Sequence, residues 1–204
     1  MRGRGPASLT LPSPREDGEA GGAAAGQPTD AQVIAEALVE PQRFAVLFDR
    51  HWTRVHRYCI SRAGEAGEDL AADTFRVGFE RRSAFDLSRP DARPWLFGIA
   101  TNLVRSYLRG VERGRRATSR LSVGTQGDMT DDAIGRAEAE LLGPRLTAAL
   151  AGIGVGDRDA LILHAWEALT YEQIGEALGI PVGTVRSRIH RARARLRHQL
   201  QDVR

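Results

Sequence analysis

Apolar positions recur along this chain with the 3.6-residue period of helices, and nowhere with the sustained alternation of strands. Phe44, Leu47, Phe48, Val55 and Tyr58 mark one amphipathic stripe; Leu70, Phe75, Val77 and Phe79 mark a less regular second one. The pattern breaks at SAFDLSRPDARP, where two prolines and several polar residues predict a loop. It resumes in WLFGIATNLVRSYLRG, a helix that Gly110 is expected to close. On that helix Leu96, Ile99, Leu103 and Tyr107 predict a buried stripe, and Asn102, Arg105, Ser106 and Arg109 an opposing polar one. Trp95 opens the apolar stripe, so a packing anchor suits it better than an aromatic held ready for stacking. Residues 117–135 are polar and read as a flexible linker, after which helical patterning continues to the end. Residues 1–30 are rich in Gly, Ala, Pro and Ser and too poor in large apolar groups to offset chain entropy; disorder is expected there. These patterns predict an all-α protein of two small helical domains, residues 31–116 and 136–204, joined by the linker.

The most informative stretch is TYEQIGEALGIPVGTVRSRIHRARARLR, from Thr170 to Arg197. Thr170 can cap a helix and Gln173 completes a capping box three residues later. Gly179 ends that helix, Pro181 prevents its continuation, and a second helix starts at Gly183 or Thr184. This is the grammar of a helix-turn-helix. Turned at 100° per residue, Val185, Ile189, Ala192 and Leu196 of the second helix fall in a narrow stripe that must face a core. Ser187, His190, Arg191 and Ala194 then point outward, with Arg186 and Arg193 on one flank and Arg188 and Arg195 on the other. Such a helix fits a DNA major groove: small and polar side chains meet base edges, and flanking arginines meet phosphates. A basic helix lying on a membrane surface is the competing reading, but it leaves the cap, first helix and turn without a purpose.

Charge adds to this picture. The formal net charge of the 204 residues is only +3, yet all 29 basic residues are arginine and the pI is about 9.7. Gly183 to Arg204 holds seven arginines against the single acid Asp202, which is the local asymmetry a polyanion partner requires. Arg105, Arg109, Arg113, Arg115 and Arg116 form a second basic cluster; favourable interaction with a helix C-terminus explains one or two of them, not five.

Other chemistry finds no support. The single cysteine, Cys59, excludes an internal disulfide and a Cys-based zinc site, and VHRYCISRAG places it on an apolar helix face as a buried structural thiol. No Gly-rich phosphate loop, metal-ligand spacing or nucleophile elbow occurs, so neither enzymatic activity nor a cofactor or metal is expected. No apolar run approaches the ~20 residues of a membrane span, and no signal-peptide core follows the N-terminus. A cytoplasmic location without membrane insertion is the expectation.

GEDLAADTFRVGFERR, followed by FDLSRPDARPWLFGIATNLVRSYLRGVERGRR, resembles the second conserved region of sigma-70 family initiation factors. RDALILHAWEALTYEQIGEALGIPVGTVRSRIHRARARLR resembles their fourth region. Two regions with nothing substantial between them is the layout of the extracytoplasmic function (ECF) subgroup, and the resemblance spans roughly Ala37–Arg113 and Glu138–Gln201. It implies a dissociable subunit that binds bacterial core RNA polymerase, through its β′ and β subunits, and directs it to promoter DNA. The front domain would recognise and melt the −10 element, and the rear domain would read the −35 element.

Residue by residue, Asp69, Asp73 and Arg76 fall in the stretch that docks on a coiled coil of β′, although relatives often carry Gln-Glu where this chain has Ala72-Asp73. Asn102, Arg105, Ser106 and Arg109 correspond to the face that meets the −10 element, where many relatives have Asp in place of Ser106. Phe85, Asp86, Leu87 and Ser88 begin the loop that holds an extruded promoter base. Arg186, Ser187, Arg188, His190 and Arg191 fall at −35 contact positions. An anti-sigma protein that covers the polymerase-binding surfaces is a further partner implied by the resemblance. A stand-alone regulator binding operators through the helix-turn-helix is the alternative, but it would not need the front block.

Overall fold

A computed structural model describes residues 27–121 and 144–201. Within them the chain forms eight α-helices and three short 3-10 turns, with no strand among the described residues. The front half comprises α1 (Asp30–Val39), α2 (Ala45–Ala63), α3 (Gly67–Glu80) and α4 (Arg93–Leu121). The rear half comprises α5 (Pro144–Ala151), α6 (Val155–Ala165), α7 (Tyr171–Leu178) and α8 (Val182–Gln201). The expected tail up to residue 26 and the expected linker beyond residue 121 lie outside the described residues.

In the front half, α2, α3 and α4 pack against one another around Leu47, Val55, Tyr58, Ala71, Phe75, Leu96 and Phe97. Each large apolar side chain withdrawn from water here contributes roughly 1.5–3 kcal/mol. Tyr58 and Phe97 meet edge to face, and the Tyr58 hydroxyl shares a buried 2.7 Å hydrogen bond with Thr101 Oγ1. Phe48 departs from its expected stripe: it is 40% exposed, at the head of a ladder with Trp52 and His56.

The front domain starts earlier than the sequence suggests. Thr29 caps α1 in a capping box with Gln32. Asp30 is buried, not part of a disordered tail: its carboxylate accepts from His51 Nε2 at 2.8 Å, Arg50 at 3.0 Å and the Ala92 N–H at 3.0 Å. One carboxylate thus joins α1, α2 and the loop before α4. Three polar partners repay its desolvation, and they hold its pKa down at about 2 although burial alone would raise it.

Two expectations for α4 are corrected. Gly110 does not end the helix, which continues to Leu121. Gly110 is not among the positive-φ glycines, and beyond it Glu112 pairs with Arg115 and Arg116 at i+3 and i+4. The buried stripe is also rotated: Leu96, Phe97, Ala100, Thr101 and Val104 are buried, Ile99 and Leu103 only half-buried, and Tyr107 is 39% exposed. The rotation follows from α4 having two partners to cover, α2 with α3 on one side and α7 on the other.

The halves are not merely strung together. One continuous buried cluster runs from Ile34, Tyr58 and Phe97 into Leu163, Leu169, Ile174 and Ala177 of the rear half. Gly98 permits the approach of α4 to α7, because a Cβ there would lie 3.0 Å from the Ala177 carbonyl oxygen. A second, smaller cluster belongs to the rear half alone: Ala149, Leu150, Ile153, Leu161, Ala192 and Leu196.

Candidate nucleic-acid interface

The rear site is built as its local sequence dictates. Thr170 Oγ1 accepts from the Gln173 N–H at 3.2 Å, and Gln173 Oε1 accepts from the Thr170 N–H at 2.9 Å. After eight residues Gly179 adopts φ 64°, the left-handed conformation that closes α7, and the Ile180 N–H reaches back to the Gly175 carbonyl at 2.9 Å. The chain turns at Pro181 and α8 begins. Val185, Ile189, Ala192 and Leu196 are all buried, while Ser187, His190, Arg191 and Ala194 are exposed. Arg186 is exposed with its guanidinium 5.9 Å above the Tyr171 ring, and Arg188 is half-buried against Gly156.

Two of these outward groups already have partners. Ser187 Oγ donates to the Thr184 carbonyl at 2.9 Å, and Arg191 binds Asp157 of α6 through Nε at 3.0 Å and Nη2 at 2.9 Å. Arg186, resting on the Tyr171 ring, and His190 form the front of the helix, and Arg191 reaches a ligand only by exchanging one anion for another.

On the front half, Asn102, Ser106 and Arg109 of α4 are exposed, as a ligand-facing stripe requires. Arg105 is not: its Nε donates to Asp159 Oδ2 at 2.9 Å, and its Nη2 lies 2.8 Å from the same oxygen as an ion pair. With Arg109, Arg113 and Arg116, and with Leu108, Glu112 and Val155, Arg105 also lines an open groove of about 500 Å³. Four of the five arginines of the second basic cluster thus share one concave surface, an arrangement suited to a phosphate backbone.

The loop before α4 divides. Phe85 is 8% exposed and packs edge-on against Trp95 at 5.2 Å, so it is a core residue and not a surface for a flipped base. The same contact makes Trp95 a packing anchor. Asp86 accepts from the Ser88 N–H and hydroxyl at 3.0 and 2.7 Å, bonds that hold its carboxyl below the usual range. Leu87 is 46% exposed and Ser88 is exposed beside it. On the exposed side of α3, Arg76 bridges Asp73 at 3.0 Å and Glu80 at 2.8 Å, with Asp69 exposed one turn earlier.

Sequence reasoning missed the acids. Asp159 has no exposure, accepts hydrogen bonds from Arg105 and from Arg62 Nε at 3.0 Å, and pairs ionically with Arg62 Nη2 at 2.8 Å, with Arg62 itself 1% exposed. Glu167, equally buried, takes Arg57 at 2.9 Å. Gln173 donates to Asp91 at 3.1 Å, and Arg89 meets Glu176 at 2.7 Å. All of these pairs join the front half to the rear half. The available signal was one acid, Asp159, abutting the apolar run Ala160–Leu163.

Among the described residues no group of three or more His, Cys, Asp or Glu could hold a metal ion, and no helix is long and apolar enough to cross a membrane.

Known proteins share this arrangement. Residues 47–114 match the family model of sigma-70 region 2, and residues 145–196 that of sigma-70 region 4. The chain is 30% identical to the ECF RNA polymerase sigma factor SigW of Bacillus subtilis over 172 residues, 78% of this chain and 90% of that protein. It is 30% identical to the ECF sigma factor SigL of Mycobacterium tuberculosis over 176 residues, 85% of this chain and 97% of that one. The solved structure of CnrH in complex with the cytosolic domain of CnrY superposes with TM-score 0.64 at 25% identity, covering 86% of this chain and 99% of that chain. Two helical units with these two regions define a sigma-70-type initiation factor. More narrowly, the chain belongs to the ECF sigma factors of RNA polymerase.

Proposed function

We propose that this sigma factor reads the −35 element with the Arg186, Ser187, His190 and Arg191 face of α8. The polar side of α4, Asn102, Arg105, Ser106 and Arg109, together with Leu87 and Ser88, meets the −10 element. Asp69, Asp73 and Arg76 on α3 dock on core polymerase. The observation that carries this reading is the clean division of α8, with four buried apolar residues behind and an exposed polar and basic face in front. The arginine-lined groove beside α4 supplies the sequence-independent attraction to phosphate. An anti-sigma protein is a further proposed partner, supported by the likeness to CnrH, which was solved in complex with the cytosolic domain of CnrY. The reading assigns no catalytic step to the chain, in keeping with its sigma-factor relatives, and places its work in the cytoplasm with the polymerase.

Reconstitution with core polymerase on a random promoter library tests it. Holoenzyme should form without DNA, and run-off products should select two short motifs at fixed spacing. Absence of any association with core enzyme would overturn the reading.

A further inference from the structure

Arg186 and Arg191 are both exposed on α8, yet they are restrained in different ways. Arg191 has its fork filled, with two nitrogens on the Asp157 carboxylate. Arg186 is held by its flat face instead. Its guanidinium carbon lies 5.9 Å from the centre of the Tyr171 ring, within cation–π range. Among the described residues no carboxylate or carbonyl takes its N–H groups. An aromatic ring covers the face of a guanidinium and leaves its in-plane donors free for a ligand.

The ring is itself fixed. Tyr171 is the first residue of α7, directly after the Thr170 cap, so the capping box sets its backbone. Beside it the His164 ring of α6 sits 5.1 Å away at a 45° tilt, with Nδ1 3.3 Å from the Leu169 carbonyl oxygen. Burial holds His164 below its usual pKa, so this second ring stays neutral and adds no charge near the guanidinium. Gly175 lets the start of α8 come close to α7: a Cβ there would lie 2.9 Å from the Ile180 carbonyl oxygen and push the turn outward. Side chains from three helices thus meet at one arginine.

We propose that Tyr171 is a positioning residue for reading the −35 element: its ring, steadied by His164, orders the Arg186 guanidinium with its donors free before the duplex arrives. This rests on the functional reading above. A long arginine side chain loses rotamer freedom on docking, and a ring that has already ordered it removes part of that cost. The gain goes to a fixed, two-pronged contact with one base edge more than to a loose contact with phosphate, so it falls on discrimination. The two arginines therefore respond in opposite directions when their internal partners are removed. Loss of Asp157 frees Arg191, whereas loss of the Tyr171 ring disorders Arg186.

The test uses holoenzyme reconstituted with each full-length variant. Two promoters are offered together, one with the −35 segment selected from the random library and one with that segment scrambled; the ratio of run-off products is the discrimination. Tyr171→Leu should lower it roughly twofold to fivefold, the scale of an exposed cation–π contact. Tyr171→Phe, which keeps the ring, should match the parent. On an Arg186→Ala background, Tyr171→Leu should produce no further loss, because the two changes act on one contact. In the free protein, the Arg186 Nε–H resonance, assigned by its disappearance in Arg186→Ala, should move downfield when the ring is removed. Tyr171→Met takes the place of Tyr171→Leu if the helical signal of the latter falls. Unchanged discrimination in the ring-less variant would overturn the proposal. So would a loss in Tyr171→Phe as large as in Tyr171→Leu, or an equal loss with and without Arg186, since a merely structural ring would be missed on either background. If the parent holoenzyme does not distinguish the two promoters, the −35 reading fails instead, and the Nε–H resonance still decides whether Tyr171 holds Arg186.

Discussion

Arg191 grips Asp157 with two nitrogens, one on each carboxylate oxygen, at 3.0 and 2.9 Å. The most promising base-reading arginine of α8 is thereby matched to an internal anion of the same shape as a phosphate edge or a guanine face.

Competition between these anions has a measurable size. Asp157→Asn should tighten binding of the free protein to a −35 duplex by roughly twofold to fivefold, the scale of an exposed ion pair. Arg191→Ala should lower discrimination between cognate and scrambled −35 duplexes by between about fivefold and a hundredfold while core binding persists. Fluorescence anisotropy at fixed salt reads both. Identical affinities for parent and Asp157→Asn would mean that the pair does not restrain Arg191.

Asp30 makes the fold sensitive to acid. Its folded-state pKa, about 2, lies below its ordinary value of 3.8. The stabilisation is therefore complete above pH ~4 and fades as pH falls towards 2; the shift corresponds to about 2 kcal/mol. Asp30→Asn should lose that amount at pH 7 in urea denaturation and show a flatter decline between pH 4 and pH 2. Truncation to begin at residue 31, which removes the Thr29 cap of α1 as well as Asp30, should cost about 1 kcal/mol more than Asp30→Asn.

Cys59 should be chemically silent. It is fully buried, and that burial pushes its thiol up to about 12, with the Thr74 hydroxyl as the smaller, opposing influence. Thiol titration should find no reactive group in the native protein and one per chain in denaturant. Cys59→Ser, which places a hydroxyl in an apolar site, should cost about 1–3 kcal/mol.

Two glycines should respond to alanine with opposite signs. A Cβ on Gly67 would lie 2.5 Å from Ile60 Cα and 2.6 Å from the Cys59 carbonyl carbon, so Gly67→Ala must push α3 away from α2 and should cost about 1–3 kcal/mol or more. A Cβ on Gly110 meets nothing within 4 Å, and the residue sits inside a regular helix. Gly110→Ala should stabilise by up to about 1 kcal/mol. Thermal denaturation of the pair checks both, and a loss of stability in Gly110→Ala would contradict the uninterrupted α4.

What the sequence disclosed followed the range of each interaction. The Thr170–Gln173 box, the Gly179 turn and the four-residue stripe of α8 are decided by neighbours within a few positions, and each is legible from spacing. Asp30 looks like the end of a tail because its partners, His51 and Ala92, lie 21 and 62 residues away. Phe85 looks like loop in the sequence because the Trp95 ring that covers it arrives only with the tertiary fold. Gly110 resembles a terminator by residue preference alone, and the Glu112–Arg115/Arg116 pairs beyond it carry the helix onward. Asp159 was passed over because an isolated acid acquires meaning only from the two arginines that converge on it.

The Arg62–Asp159 pair has a consequence for synthesis. The two residues are 97 positions apart, so at bacterial elongation rates the ribosome delivers the carboxylate about 5–20 s after the guanidinium. During that interval the nascent front domain lacks the carboxylate that meets Arg62 in the finished fold.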